Sequence, residues 1–387
     1  MRLAVLVTHP VQYFAPIFRE LAQRPDLQLK VFFGCDHGVM PSEDPNFGVV
    51  FKWDCQPTEG FEHEFLSTSS LESLQGLAGM QLATKAAVMI GHYKPDTILI
   101  FSYSPAFITT STLLLRLAGH KLMLRAETTD EAVTRSYFKD KIRQIMLGLY
   151  YRQFTYFFPI GTNSINHYRR MGVDENRLTL AFYAIDVDYF QKQVDFWLPQ
   201  REFLRTTAGI KPQDCVLMYC GKMFPDKNPL LISDAIAMLL PEEKEKIWLI
   251  AVGEGELRQE FEVSAKAQLE EKAIFVGFKN QSELGKYYAM SDILILPSLR
   301  GETWGLVINE AFQFGLKVIV SDKVGSGRDL IINTDKGWIF SSGNLTELYK
   351  MISNAIATPK SLSIEFEKLP HPKQLAQAIH LKIKNHD

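Results

Sequence analysis

Cysteine is scarce in this 387-residue chain, and so is net charge. Cys35, Cys55, Cys215 and Cys220 are its four cysteines, and no Cys-x-x-Cys pair occurs, which removes the zinc-site and redox signatures and leaves no disulfide framework to expect. Cys215 and Cys220 bound the run CVLMYC; an offset of five along a strand sends their side chains to opposite faces, so we read all four as reduced thiols in or near a core. Lys+Arg number 42 and Asp+Glu 44, a formal net charge of −2, which excludes the general basic footprint of a nucleic-acid binder. No run of about 18 apolar residues is present, so no membrane-spanning helix is expected. The start, MRLAVLVTHP, is apolar with one positive charge, but His9 and Pro10 follow without a small-residue cleavage site, and a first strand is the better reading than a secretory leader. The expected setting is cytoplasmic, with contact at the cytoplasmic face of a membrane as the variant. Solenoid-length repeats and low-complexity tracts are missing as well.

What is present is an ordinary globular composition, 46% hydrophobic and 22% charged, in a length suited to two domains of roughly 100–200 residues each. The first half alternates strands (Leu3–Thr8, Gln28–Phe33, Thr97–Phe101, Lys121–Arg125, Tyr156–Ile160) with helices (Phe14–Ala22, Ala106–Leu117, Arg135–Phe154, Asn163–Met171). The alternation restarts with strands Val216–Cys220, Ile247–Val252, Ala273–Val276, Ile293–Leu296 and Lys317–Ser321, and helices Leu230–Leu240, Glu256–Leu269, Gln281–Ser291 and Trp304–Phe314. This predicts α/β architecture: two doubly wound Rossmann-like domains, 1–188 and 189–365, facing a cleft, with 366–387 a tail or helix returning toward the first domain. The join falls in Ala184–Leu204, which shows neither helical nor strand periodicity. Open parallel sheets bind ligands beyond the carboxyl ends of their strands, so residues just after strands are the candidates.

Two such segments stand out. Pro297 to Ala311 follows a strand and opens a helix; it holds Glu302, Thr303, Trp304, Gly305, Leu306 and Glu310. The first N–H groups of that helix form an anion site suited to phosphate, and adjacent carboxylates can accept hydrogen bonds from sugar or ribose hydroxyls. Gly221-Lys222-Met223-Phe224-Pro225-Asp226-Lys227 follows another strand; the glycine permits close approach of a ligand, and the two lysines can bracket a diphosphate. Taken singly, each segment reads first as solvated or paired surface charge.

Together they resemble the retaining family 4 glycosyltransferases of the GT-B fold. That family shows G-R-x-x-x-x-K after the first strand of its second domain and E-x-F-G-x-x-x-x-E-A after a later one. Here these read Gly221-Lys222…Lys227 and Glu302-Thr303-Trp304-Gly305…Glu310-Ala311. Val252-Gly253-Glu254-Gly255-Glu256-Leu257-Arg258, Phe275-Val276-Gly277-Phe278 and the linker-like Ala184-Ile185-Asp186-Val187-Asp188-Tyr189-Phe190 agree with it. The resemblance covers about Ile160 to Trp338. It implies that Lys222 and Lys227 hold the donor diphosphate, with Lys222 in place of the usual Arg and without its bidentate geometry. It further implies that Glu302 touches the donor sugar, that Glu310 binds ribose hydroxyls, that Thr303 to Leu306 supply backbone donors, and that Phe278 lines the base. Asp186-Val187-Asp188 is a D-x-D of the kind that binds metal in another fold, but its linker position favours a structural role. Gly253-x-Gly255 lacks the third glycine of a dinucleotide fingerprint, Arg258 standing there. No obligatory metal and no nicotinamide cofactor are expected.

In the first domain the start Thr8-His9-Pro10-Val11-Gln12-Tyr13 is similar to starts in some bacterial branches of the family, and His9 at a strand end is a site candidate. Glu127 follows another strand, near where some relatives carry a histidine close to the transferred sugar. From Arg116 to Arg170, ten basic side chains face four acidic ones. Within that stretch Ile142, Ile145, Met146, Leu149 and Tyr150 recur at helical spacing, read first as a core-facing stripe and alternatively as a surface for anionic lipid. The expected partners are a nucleotide-sugar donor and a saccharide or glycoconjugate acceptor, without nucleic acid. The rival readings are another GT-B enzyme, such as a nucleotide-sugar epimerase or a phosphorylase, and a non-catalytic nucleotide-sugar-binding subunit.

Overall fold

The structure, a computed structural model, describes residues 1–39, 42–44, 49–51, 56–68, 70–130, 135–332, 334–357 and 369–384; Cys55 lies outside them. Strands β1 (Arg2–Val7), β2 (Gln28–Phe33), β3 (Ser42–Asp44), β4 (Val49–Phe51), β5 (His63–Phe65), β6 (Thr97–Phe101), β7 (Leu122–Arg125) and β8 (Tyr156–Phe157) belong to the first half. Strands β9 (Cys215–Cys220), β10 (Ile247–Val252), β11 (Ala273–Gly277), β12 (Ile293–Leu296), β13 (Lys317–Ser321) and β14 (Gly337–Phe340) belong to the second. Two six-stranded parallel sheets result, ordered β5-β2-β1-β6-β7-β8 and β11-β10-β9-β12-β13-β14; β3 and β4 form a separate antiparallel pair. The central strands are apolar on both faces because helices cover both, as in all-parallel sheets: every residue of β6, β9, β10 and β12 is buried. Each sheet reverses its strand order once, between β1 and β6 and between β9 and β12, and these switch points open the ligand-binding crevices of such folds.

Cys215 and Cys220 lie in different cores on opposite faces of the second sheet, as their spacing requires. The segment Ala184–Leu204 departs from expectation. It contains a helix, Val187–Trp197, and part of another, Arg201–Thr207, joined by a 3-10 turn. Phe190 and Val194 pack into the second domain, so the helix belongs there and the crossing itself is shorter than expected. Asp186 caps this helix by accepting the Tyr189 N–H at 3.0 Å, and it also pairs with Arg19 of the first domain at 2.8 Å. The D-x-D is thus structural in its first acid. At the far end, helix Pro372–Lys384 packs on helix Ala15–Ala22 and buries Leu375, Ala376, Ile379 and Ile383 in the first domain's core.

A second departure lies in the basic stretch. Helix Tyr137–Tyr151 meets the core through Tyr151, with Leu147 and Tyr150 packed alongside. The residues Ile142, Ile145, Met146 and Leu149, expected in the core, are exposed.

Candidate active site

The two lysine- and glutamate-bearing segments meet at the carboxyl edge of the second sheet. The loop after β9 and the loop after β12 are braced at Asp226, whose carbonyl accepts the Leu299 N–H at 2.8 Å and whose carboxylate accepts Arg300 Nε at 2.7 Å. This brings Lys227 Nζ to 2.5 Å from Glu302 Oε2, the pair being largely shielded from solvent. Lys222 lies on the same loop, half-buried, its carbonyl accepting the hydroxyl of buried Tyr219 at 2.7 Å. The loop turns closely over the end of β10: Gly253 sits at φ 133°, and a Cβ there would stand 1.9 Å from the Gly221 carbonyl oxygen. Only glycine fits that position, which explains the Gly253-x-Gly255 pattern without a dinucleotide. Phe278, half-buried, follows β11 on the same edge.

Helix Leu306–Gln313 starts at Gly305, whose φ of 91° is left-handed. That glycine turns the chain so that the first helical N–H groups, which have no partners within a helix, end the loop bearing Glu302 and Thr303. The loop is held from behind: Gly325 N–H donates to the Glu302 carbonyl at 3.1 Å and Ser326 N–H to the Trp304 carbonyl at 3.0 Å. Trp304 itself is buried and points away from the rim. Its Nε1 donates to Asn309 at 2.9 Å, Asn309 Nδ2 donates to the Tyr183 carbonyl at 3.1 Å, and its ring packs on Phe182. With Ile160 and Tyr183 it forms an apolar seam between the domains. Of the expected donor-side residues, Trp304 therefore contributes backbone and interdomain packing.

Glu310 is also buried, 1% exposed, and both its oxygens are engaged: Tyr13 Oη donates to Oε1 at 3.0 Å and Tyr288 Oη to Oε2 at 2.7 Å. Burial pushes its carboxyl up to about 7, opposed by the two tyrosine hydrogen bonds. The Tyr13 contact crosses from the first domain to the second. A further crossing joins Thr162, whose N–H and hydroxyl donate to Asp329 at 2.9 and 2.5 Å.

On the first domain, Glu127 follows β7 and is open to the cleft, accepting the Tyr183 hydroxyl at 2.6 Å. Desolvation raises its pKa, opposed by the Tyr183 hydrogen bond and the Arg125 charge, with a smaller upward push from Glu302. His9 follows β1; its Nδ1 lies 3.0 Å from Thr8 Oγ1 and its ring meets His37 edge-on. Desolvation, with His37 nearby, lowers its pKa to about 4, so the imidazole is neutral at physiological pH. The structure thus joins Lys227 to Glu302, keeps Gly221, Lys222 and Phe278 on the same sheet edge, holds Glu127 on the first domain through Tyr183, and draws Glu310 and Trp304 into the interdomain contacts. Sequence reasoning passed over Arg125, Tyr183 and Tyr288. Buried Arg125 donates to the Phe158 and Ala181 carbonyls at 3.1 and 2.5 Å and carries its guanidinium over Tyr183, which in turn holds Glu127. An arginine ending an apolar strand, LMLR, was the available signal; the tyrosines carried none. Among the described residues, no cluster of three or more His, Cys, Asp or Glu could hold a metal ion.

Two facing parallel sheets of the same strand order, one in each half of the chain, give the two-domain GT-B fold. Its second domain matches the family Glycosyl transferases group 1 over residues 200–367. The chain is 24% identical over 204 residues to a D-inositol 3-phosphate glycosyltransferase of Catenulispora acidiphila, covering 50% of this chain and 46% of that one. It is 23% identical over 181 residues to the Escherichia coli UDP-Gal:alpha-D-GlcNAc-diphosphoundecaprenol alpha-1,3-galactosyltransferase, covering 46% and 44%. The matches thus span less than half the length of these relatives. Over its whole length the chain superposes on Anabaena HepE in complex with UDP, with a TM-score of 0.66, 16% identity and coverage of 100% and 98%.

Proposed function

We propose that the protein is a retaining glycosyltransferase that moves a sugar from a nucleotide-sugar donor to a hydroxyl of a saccharide or glycoconjugate acceptor, without an obligatory metal. The observation that carries this reading is the 2.5 Å contact of Lys227 with Glu302, which joins two loops on the sheet edge suited to a diphosphate. The donor diphosphate lies against Lys222, Lys227 and the start of helix Leu306–Gln313, its sugar beside Glu302. As the bond from the anomeric carbon to the diphosphate oxygen breaks, negative charge grows on that oxygen, and two ammonium groups with a helix N-terminus stabilise it. That cationic set is the reason no metal is required. The acceptor hydroxyl enters from the first domain, near Glu127, and attacks on the face the diphosphate leaves, its proton passing to a diphosphate oxygen. Closure of the cleft excludes water and so suppresses donor hydrolysis. The protein acts in the cytoplasm.

Single-turnover reactions with a panel of labelled nucleotide sugars and acceptors test this, with the product anomer read by NMR and chelator present. Transfer with retention, resistant to chelation and lost in Lys227→Ala, supports the reading. Inversion, or full loss on chelation restored by magnesium, overturns the corresponding part. Interconversion of the donor sugar without an acceptor would mark an epimerase instead.

A further inference from the structure

Helix Tyr137–Tyr151 presents an apolar face to solvent, and nothing among the described residues packs upon it. Phe138 is 78% exposed, Ile142 59%, Ile145 64%, Met146 65% and Leu149 53%. These residues recur at intervals of three and four, which at 3.6 residues per turn places them in one stripe. Lys141 and Arg152 flank the stripe on one side and Lys139 on the other, all exposed. Of the described acids nearest the helix, Asp140 pairs with Arg170 at 2.6 Å, and Asp130 with Arg143 and Arg170 at 2.9 and 2.7 Å. A groove of about 350 Å³ lined by Tyr103, Lys139, Ile142, Arg143, Met146 and Leu147 continues the apolar surface toward the loop after β6.

We propose that this face docks on an anionic phospholipid surface, the helix lying in the plane of the interface with Phe138, Ile142, Ile145 and Leu149 in the acyl boundary and Lys139, Lys141 and Arg152 at the headgroups. Charge complementarity selects the occupant: a stripe bordered by lysine and arginine on both sides fits an apolar layer under negative headgroups, and each nearby cation adds to binding. The inference rests on the surface alone and stands whether or not the chain transfers sugar.

Co-sedimentation of the full chain with vesicles of phosphatidylcholine, or of phosphatidylcholine with phosphatidylglycerol, tests it. Binding is expected to the anionic vesicles, to fall with salt, and to weaken about ten-fold or more in Ile142→Asp/Leu149→Asp and in Lys139→Glu/Lys141→Glu. These positions are exposed, so both variants are expected to fold, checked by circular dichroism. Absence of binding to anionic vesicles, binding indifferent to both variants, or a concentration-dependent dimer abolished by Ile142→Asp/Leu149→Asp would overturn the proposal, the last by identifying a second copy as the occupant.

Discussion

The two domains carry the same sheet, strand for strand, yet their cleft edges are built differently. The second sheet's edge is tightly braced: Asp226 ties two loops, Gly253 lets the loop after β9 pass within contact of β10, and Lys227 meets Glu302. The first sheet's edge carries a histidine held neutral, a tyrosine that reaches across to Glu310, and one cleft-facing carboxylate, Glu127. One scaffold thus carries a braced, lysine-bearing rim on one side and an aromatic and acid rim on the other. The chemistry lies in the loops, not in the shared sheet.

The comparison can be broken most sharply at Lys227. Lys227→Ala is expected to slow transfer by about 10²–10³-fold while leaving the thermal midpoint near that of the parent. A Glu127→Gln variant, on the opposite rim, is expected to leave nucleotide binding by calorimetry unchanged, since the proposed function puts Glu127 on the acceptor side. Gly253→Ala comes next: its Cβ would collide with the Gly221 carbonyl at a left-handed φ, so a loss of about 3–4 kcal/mol in urea unfolding is expected, along with weaker nucleotide binding.

One group in each domain also titrates in the sense opposite to the other. Glu310 has a folded pKa of about 7 against 4.5, so the native state holds the extra proton; the associated stability is complete below about pH 4.5 and lost as pH rises through 7. Glu310→Gln, which keeps an acceptor for the tyrosines, removes that loss, and its gain over the parent should grow from pH 5 to pH 8 to at most about 3 kcal/mol. His9, lowered to about 4, acts in reverse: its contribution is present above pH 6.5 and fades as pH falls toward 4, so His9→Gln should flatten the acid limb. Unfolding at stepped pH reads both. The smallest effect is expected from Tyr13→Phe, which removes one interdomain hydrogen bond and about 1 kcal/mol.

Much of this was legible in the residues. Thr97–Phe101, Ala106–Leu117, Ile247–Val252 and Lys317–Ser321 form where their apolar runs and helical spacing place them. Helix Gly76–Tyr93 escaped notice because its buried face is built from Gly79, Ala83 and Ala86 with Ile90, too small and too sparse to mark a stripe. Helix Val187–Trp197 mixes aromatic and charged residues, and its cap at Asp186 was masked by the linker-like pattern. In the site, spacing after strands located Lys227 and Glu302. The burial of Glu310 and Trp304 was not legible, because it depends on Tyr13, Phe182 and Tyr183 arriving from the other domain. The exposed stripe of helix Tyr137–Tyr151 teaches the same point: periodicity marks a face but does not say what covers it.

The central claim is that a nucleoside diphosphate lies on the second domain's rim where Lys227 meets Glu302. Isothermal titration of the intact chain, Lys227→Ala and Glu127→Gln with a panel of nucleoside diphosphates tests it most directly. The account predicts saturable binding of at least one, weakened about ten-fold or more by Lys227→Ala and unchanged by Glu127→Gln. Binding that survives Lys227→Ala but is lost in Glu127→Gln would contradict it.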